Sequence, residues 1–234
     1  MKKIILSIFA TVLLGMNSVA YGAVGDIINI QLGSGAPLYD NGAAINDDSG
    51  QTWNRIILED EQTIANLQYS DGSFSGVSVN DYMSGTAGLS KTATAFPEGT
   101  TDQPLMRGYL FTDEDETGYI NLTGLDAGTY KVYVYSQVGT DLPGNLDMTA
   151  NGASYSLSNN GDSTSLIEGT NWMVKTVTVA ADGKLSMSFA ENSQINGLQI
   201  EAVPEPGSVV LLGIGGAFVL GLKRLKSKEE SAVA

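Results

Sequence analysis

Short runs in which apolar and polar residues alternate dominate the chain between Tyr21 and Val203, and Gly, Asn, Asp and Ser separate the runs. This pattern is typical of β-strands joined by turns. In the first half we predict a hairpin of two strands around the acidic stretch 59–61, and a long surface loop at Met83–Thr101. The predicted strands of this half are Ile28–Leu32, Trp53–Leu58, Thr63–Tyr69 and Val77–Val79.

The pattern is clearer in the second half of the chain. Asn151-Gly152 and Asp182-Gly183 are predicted hairpin turns, because two-residue primed turns need residues that tolerate positive φ. The predicted strands are Gly118–Leu122, Gly128–Val138, Leu146–Ala150, Ala153–Leu157, Trp172–Val179, Lys184–Phe189 and Ile195–Ala202.

These elements predict an all-β domain at residues 21–202. No stretch between Tyr21 and Val203 has a sustained helical period. About ten strands in one domain favour a single antiparallel β-sandwich, with a jelly roll as the preferred architecture. An immunoglobulin-like sandwich with fewer strands is the alternative.

The two ends of the chain have the pattern of targeting segments. Lys2 and Lys3 followed by the apolar run Ile4–Leu14 predict a signal peptide at residues 1–20, with cleavage after Ala20. Near the other end, an uncharged run of 14 residues, Val209–Leu222, is about 21 Å long as a helix. We predict that it enters the membrane as one short helix, since flanking basic residues can snorkel and the bilayer can thin.

Two motifs flank this apolar run. Pro204, Glu205 and Pro206 precede it, and the prolines hold the tripeptide extended. Four basic residues follow it and are expected to stay in the cytoplasm by the positive-inside rule. They are Lys223, Arg224, Lys226 and Lys228.

The tripeptide, the apolar run and the basic residues follow one another at 203–228, and residues 229–234 form a short tail. This order resembles the PEP-CTERM sorting signal of exported bacterial proteins. The resemblance implies that exosortase, a membrane enzyme, recognises the signal and that the tail is removed. An ordinary single-pass anchor after a Pro-rich linker is the alternative. We therefore expect an inner-membrane intermediate, followed by release to the cell surface or the extracellular matrix.

Charge and missing residue types narrow the functions. Six of the 12 basic and 23 of the 26 acidic residues lie between Tyr21 and Val203, a net charge of −17, which argues against nucleic acid as a partner. The chain has no His and no Cys, so it has no Ser-His-Asp or Cys-His catalysis, no zinc site with N or S ligands and no disulfides. Paired carboxylates remain as a route to sugar hydrolysis, but no pair stands out.

One acidic stretch resembles the start of a calcium loop. Asp113, Asp115 and Thr117 place oxygens at alternate positions, and Gly118 follows. Position 12 of such a loop is Gly124 rather than Glu, so a bidentate ligand has to come from elsewhere. Calcium is therefore the one cofactor we consider, and a solvated acidic turn is the alternative.

Aromatic residues are the candidate sugar contacts, because the CH faces of sugars stack on flat rings. Trp53 and Trp172, the only tryptophans, each begin a predicted strand, where packing on the core is the alternative role. Tyr133 and Tyr135 share one face of a predicted strand with Lys131, and Tyr130 lies on the other face. The first face is either a binding platform or a second packed face.

The stretches Gly124–Tyr135 and Ile195–Ile200 resemble exported bacterial β-sandwich domains of the galactose-binding-like type, which serve as carbohydrate-binding modules. This resemblance carries no binding residue to a numbered position. It implies an exported, non-catalytic protein that binds glycan or exopolysaccharide. The alternatives are a structural matrix protein without a defined ligand and a small carbohydrate-active enzyme.

Overall fold

The computed structural model describes residues 26–33, 37–45, 48–57, 62–82, 88–89, 100–137, 145–158 and 163–204. They form 14 strands and one short helix, α1, at Gln103–Arg107. The strands are β1 (Ile27–Leu32), β2 (Asn54–Ile56), β3 (Gln62–Ile64), β4 (Ser78–Tyr82), β5 (Gly88–Leu89), β6 (Gly108–Phe111), β7 (Gly118–Thr123), β8 (Gly128–Tyr135), β9 (Asn145–Ala150), β10 (Ala153–Ser158), β11 (Trp172–Val179), β12 (Leu185–Phe189), β13 (Gln194–Ile195) and β14 (Gly197–Val203).

The strands are arranged in two large sheets and one small sheet. The five-stranded sheet has the order β11-β8-β14-β1-β2, and the six-stranded sheet has the order β10-β9-β12-β7-β4-β3. A small sheet of β13, β6 and β5 completes the set. All pairs between these strands are antiparallel except β1 with β2, which is parallel.

The main core lies between the two large sheets. Ile30 and Val132 of the five-stranded sheet belong to one buried cluster with Ile120 and Met187 of the six-stranded sheet. From β7 onward the chain crosses repeatedly between the sheets, as it does in a jelly roll. The predicted all-β sandwich is confirmed.

The predicted turns have different outcomes. Asn151-Gly152 forms the expected hairpin between β9 and β10, with φ of 42° and 86° and Ala150 opposite Ala153. The prediction for Asp182-Gly183 is wrong, because its turn joins β11 of the five-stranded sheet to β12 of the six-stranded sheet. A turn residue fixes a local reversal, whereas the buried faces of the strands decide which neighbours they pair with.

The predicted hairpin at Trp53–Tyr69 is also wrong. β2 pairs with β1, and Asn54 lies opposite Ile30. β3 instead pairs with β4 in the other large sheet, and Ile64 lies opposite Val79. The chain between them therefore connects the two large sheets, and Ile56 and Ile64 reach the same core from opposite sheets.

Two further differences concern strand boundaries. The predicted strand Ile195–Ala202 is interrupted at Asn196, so that β13 pairs with β6 while β14 pairs with β1 and β8. The short β5 lies inside the predicted loop at Met83–Thr101, most of which lies outside the described residues. In the described part of the chain no helix is long and apolar enough to cross a membrane, and the predicted membrane segment at 209–222 lies beyond that part.

Candidate functional site

The outer face of the five-stranded sheet is covered rather than open. It carries a second buried cluster, in which Tyr133 and Tyr135 of β8 pack with side chains from two covering segments. Tyr39 and Trp53 come from the chain between β1 and β2, and Leu105 and Met106 come from α1. The tyrosine row on β8 is therefore a packed face. Burial raises the pKa of both the Tyr133 and Tyr135 hydroxyls, so both stay protonated donors.

Buried amides attach this cover to the sheet. The Gln31 amide nitrogen donates to the carbonyls of Pro37 (3.0 Å) and Pro104 (2.8 Å), and the Gln31 side-chain oxygen accepts from the backbone of Tyr39 (3.0 Å). Gln199 donates to Asn29 (2.8 Å) and accepts from the Tyr135 hydroxyl. A buried amide that loses a hydrogen-bond partner destabilises the fold, so these hydrogen bonds hold the covering segments in one position.

A cavity of about 570 Å³ lies in this cover, at the end of the sheet where β8 ends and β11 begins. Its walls come from three segments, which are the chain after β1, the turn before α1 and the loop before β11. The lining residues are Tyr39, Asn41, Ala43, Ala44, Thr101, Asp102, Ser165, Leu166 and Trp172.

Trp172 is the predicted sugar contact that lines this cavity. It is half-buried at the start of β11, and its ring centroid lies 6.2 Å from that of Tyr133 at an interplanar angle of 31°. Trp53 is buried, donates its indole N–H to the carbonyl of Asn41 (2.8 Å), and contacts the Tyr39 ring edge-on at 4.9 Å. Trp53 thus supports the cavity wall from behind.

Asp102 and Tyr39 form the polar side of the cavity. The Tyr39 hydroxyl donates to a carboxylate oxygen of Asp102 at 2.5 Å. Burial, followed by the hydrogen bond and charge of Asp102, raises the pKa of Tyr39. A fixed carboxylate in the same cavity as a partly exposed indole is suited to accept a hydrogen bond from a hydroxyl of a ligand that stacks on the ring.

No pattern in the sequence singles out Tyr39, Asn41 or Asp102. Their neighbours have no alternating pattern, and only the fold brings the three segments together. One signal was available, because Asp102 is followed two residues later by Pro104, and Asp before an early proline is typical of a helix start. That signal marks α1 but gives no indication of a cavity.

The candidate calcium residues lie in the exposed turn between β6 and β7. Asp115 has a φ of 64°, and its backbone N–H donates to the Glu191 carboxylate at 3.0 Å. Glu191 is thus an acidic side chain that the fold brings to this turn. Among the described residues, no group of three or more acidic side chains is placed to hold a metal ion. Calcium binding by Asp113, Asp115 and Thr117 stays a prediction.

Thermal unfolding with and without millimolar Ca²⁺ tests that prediction. A site of extracellular type has a dissociation constant of about 0.1–1 mM, so 10 mM Ca²⁺ is expected to raise Tm by about 5 °C. The double variant Asp113→Ala, Asp115→Ala should lose this response, and Mg²⁺ serves as the ionic control. An equal response in the double variant excludes this turn as the site.

The sorting residues follow directly on the sandwich. A family model of the PEP-CTERM protein-sorting motif matches residues 202–225, which include Pro204, Glu205, Pro206, Lys223 and Arg224. The chain therefore carries this motif, which implies export and a membrane-anchored intermediate. β14 runs through Val203, and Pro204 is exposed. Lys226, Lys228 and the predicted signal peptide with Ala20 lie outside both the match and the described residues.

Comparison with solved structures finds β-sandwich domains. The chain is 17% identical to a Bacteroides uniformis β-glucuronidase over 76% of its own length, with a TM-score of 0.43. It is 16% identical to a family 35 carbohydrate binding module from Clostridium thermocellum, over 61% of this chain and 99% of that one, with a TM-score of 0.34. A CBM35 module from Cellvibrio japonicus is 15% identical over 52% of this chain and 86% of that one, with a TM-score of 0.32.

The chain spans 18% of the length of the β-glucuronidase, so the likeness concerns one part of a larger enzyme. A search of curated protein sequences finds no match.

Proposed function

We propose that this is an exported, exosortase-sorted surface or matrix protein whose non-catalytic β-sandwich binds glycan in the cavity beside Trp172. The observation that carries the proposal is the pairing, in one cavity, of a partly exposed indole with the carboxylate of Asp102. The ring offers a flat apolar surface for the CH face of a sugar, and the carboxylate accepts from a hydroxyl.

Size and charge refine the ligand class. A volume of about 570 Å³ lies within the range of small-ligand sites, so it suits a short stretch of a polysaccharide. The net charge of −17 between Tyr21 and Val203 favours a neutral glycan over an acidic one. The sorting motif supports the same setting, since export brings the protein to extracellular polymers.

A structural matrix protein without a ligand is the second candidate. Three of the four aromatic residues predicted as sugar contacts, Trp53, Tyr133 and Tyr135, are buried in packing, which favours a structural role for them. The two candidates differ in one measurable property, namely whether the protein binds a soluble glycan at all.

Trp172→Ala is expected to weaken glycan binding by about 10-fold, which corresponds to about 1.4 kcal/mol of lost stacking. The measurement is a glycan array with the purified exported protein, followed by calorimetric titration with the glycans that bind. Trp172→Phe should retain most of the affinity, because it keeps a flat ring.

Phe74→Ala is the matched control, since Phe74 is a 73% exposed aromatic residue that does not line the cavity. It should bind as the unmodified protein does. Failure to bind any glycan would favour the structural candidate, whereas glycan binding with unchanged affinity in Trp172→Ala would exclude this cavity as the binding site. Release of reducing ends from a bound polysaccharide would instead indicate an enzyme.

A further inference from the structure

The cavity and Val203, after which the chain continues into the sorting motif, lie at opposite ends of the five-stranded sheet. Trp172 pairs with Tyr135, which in turn pairs with Gly197, the first residue of β14. β14 then runs away from the cavity and ends at Val203, opposite Thr129. Seven residues of strand cover about 20 Å between their first and last Cα atoms.

The attachment of the sandwich to the membrane segment is short. Residues 204–208 separate the end of β14 from the predicted membrane segment that begins at Val209. Five residues reach at most about 17 Å when fully extended. β14 is hydrogen-bonded to strands on both of its sides, β8 and β1, so its end cannot peel away without breaking the centre of the sheet.

The end of the sandwich that carries Val203 is acidic. Asp26 accepts the backbone N–H of Ala202 through its carbonyl, and Glu201 forms an ion pair with Lys131 of β8 at 3.3 Å. Asp26 and Asp126 line one small pocket together with Tyr69 and Ala202 at this end of the sandwich. These carboxylates give an anionic lipid surface no attraction for this end, so the orientation depends on the short attachment and not on lipid charge.

We infer that in the membrane-anchored form the cavity faces away from the bilayer, and that its partner is a polymer presented from the extracellular side rather than a lipid or a protein embedded in the same membrane. This inference rests on the proposed function for the nature of the ligand, but its geometry follows from β14 and the short attachment. The cavity then stands up to about 20 Å farther from the bilayer than the Val203 end does, the full distance being reached when β14 is perpendicular to the membrane.

Single-cysteine labelling of the full chain in liposomes tests this orientation. The chain has no native Cys, so a fluorophore on Thr101→Cys reports the cavity end and one on Ala181→Cys reports the turn after Val179, at the Val203 end. Both positions are exposed. With acceptor-labelled lipids, energy transfer is expected to be clearly stronger from the Ala181→Cys label, in vesicles of neutral and of anionic lipid alike.

Equal transfer from the two labels, or stronger transfer from the Thr101→Cys label, overturns the inference. Absence of transfer from both also overturns it, since the orientation requires attachment through the motif. Glycan binding is measured separately. If transfer shows the expected order while no glycan binds, the orientation holds and the proposed function fails.

Discussion

Gly33→Ala is expected to lower the free energy of unfolding by about 3–4 kcal/mol. Gly33 follows β1 with a φ of 92°, and a Cβ there would lie 2.4 Å from the backbone nitrogen of Tyr109. The left-handed conformation costs an alanine about 1–2 kcal/mol, and the overlap with the backbone of β6 adds about 1–3 kcal/mol because a strand cannot move aside as a side chain can. Thermal and urea unfolding followed by circular dichroism measure the loss, which should lower Tm by about 10 °C.

Gly152→Ala is the matched control for this variant. Gly152 has a φ of 86°, close to that of Gly33, but a Cβ there would meet nothing within 4 Å. It therefore carries the conformational cost alone, about 1 kcal/mol. Equal losses in the two variants would show that the close approach of β1 and β6 has no energetic consequence.

Asn196→Ala is expected to lower the free energy of unfolding by about 3–4 kcal/mol. Asn196 is fully buried at the break between β13 and β14, where its amide donates to the carbonyls of Met106 (2.9 Å) and Gly108 (2.7 Å). Its side-chain oxygen accepts from the backbone N–H of Gln137 at 2.6 Å. Alanine would remove three hydrogen bonds to buried backbone groups, each worth about 1–3 kcal/mol before the site relaxes.

The same variant should also weaken glycan binding, because Asn196 holds the end of α1 and α1 begins beside Asp102 of the cavity. Asn196→Asp should rescue neither property, since it keeps the acceptor but points a carboxylate oxygen at two carbonyls.

Asn121→Ala is the control. Asn121 is half-buried on β7, between the core residues Ile120 and Leu122. The free energy of unfolding of Asn121→Ala should fall by less than about 1 kcal/mol. A loss in Asn196→Ala as small as that of the control would contradict the role assigned to its amide.

Much of the second half of the sandwich was predictable because each of its strands has a local pattern of alternating apolar and polar residues between turn residues. β7 to β12 each begin or end within a few residues of the predicted bounds. Asn151-Gly152 was predictable for the same reason, since a two-residue turn with positive φ depends on those two residues alone. The pairing between distant strands was not predictable, as β2 and β3 show. Which strands pair depends on how apolar residues are buried across the whole core.

The candidate site was predictable only in part. Trp172 was among the aromatic residues considered, yet the residues opposite it, Tyr39 and Asp102, lie in segments without a periodic pattern. Their position depends on hydrogen bonds to buried side chains of β1, such as the three that join Gln31 to Pro37, Tyr39 and Pro104. The contact with Pro104 spans 73 residues, and the two nearer contacts lie in a segment without strand or helix periodicity, so none of them leaves a local signature.

The sequence by itself determined that this is an acidic, all-strand protein with a sorting motif at residues 202–225. Strand periodicity and the motif are local properties, so the order of residues is enough to establish them. Only the tertiary structure decided what lies over the second face of the five-stranded sheet. The alternation of Ile28 to Leu32 indicates one apolar face, but Asn29 and Gln31 are buried as well. They are buried because the chain after β1 folds back over them and supplies the hydrogen-bond partners that their amides require, and that cover forms the cavity.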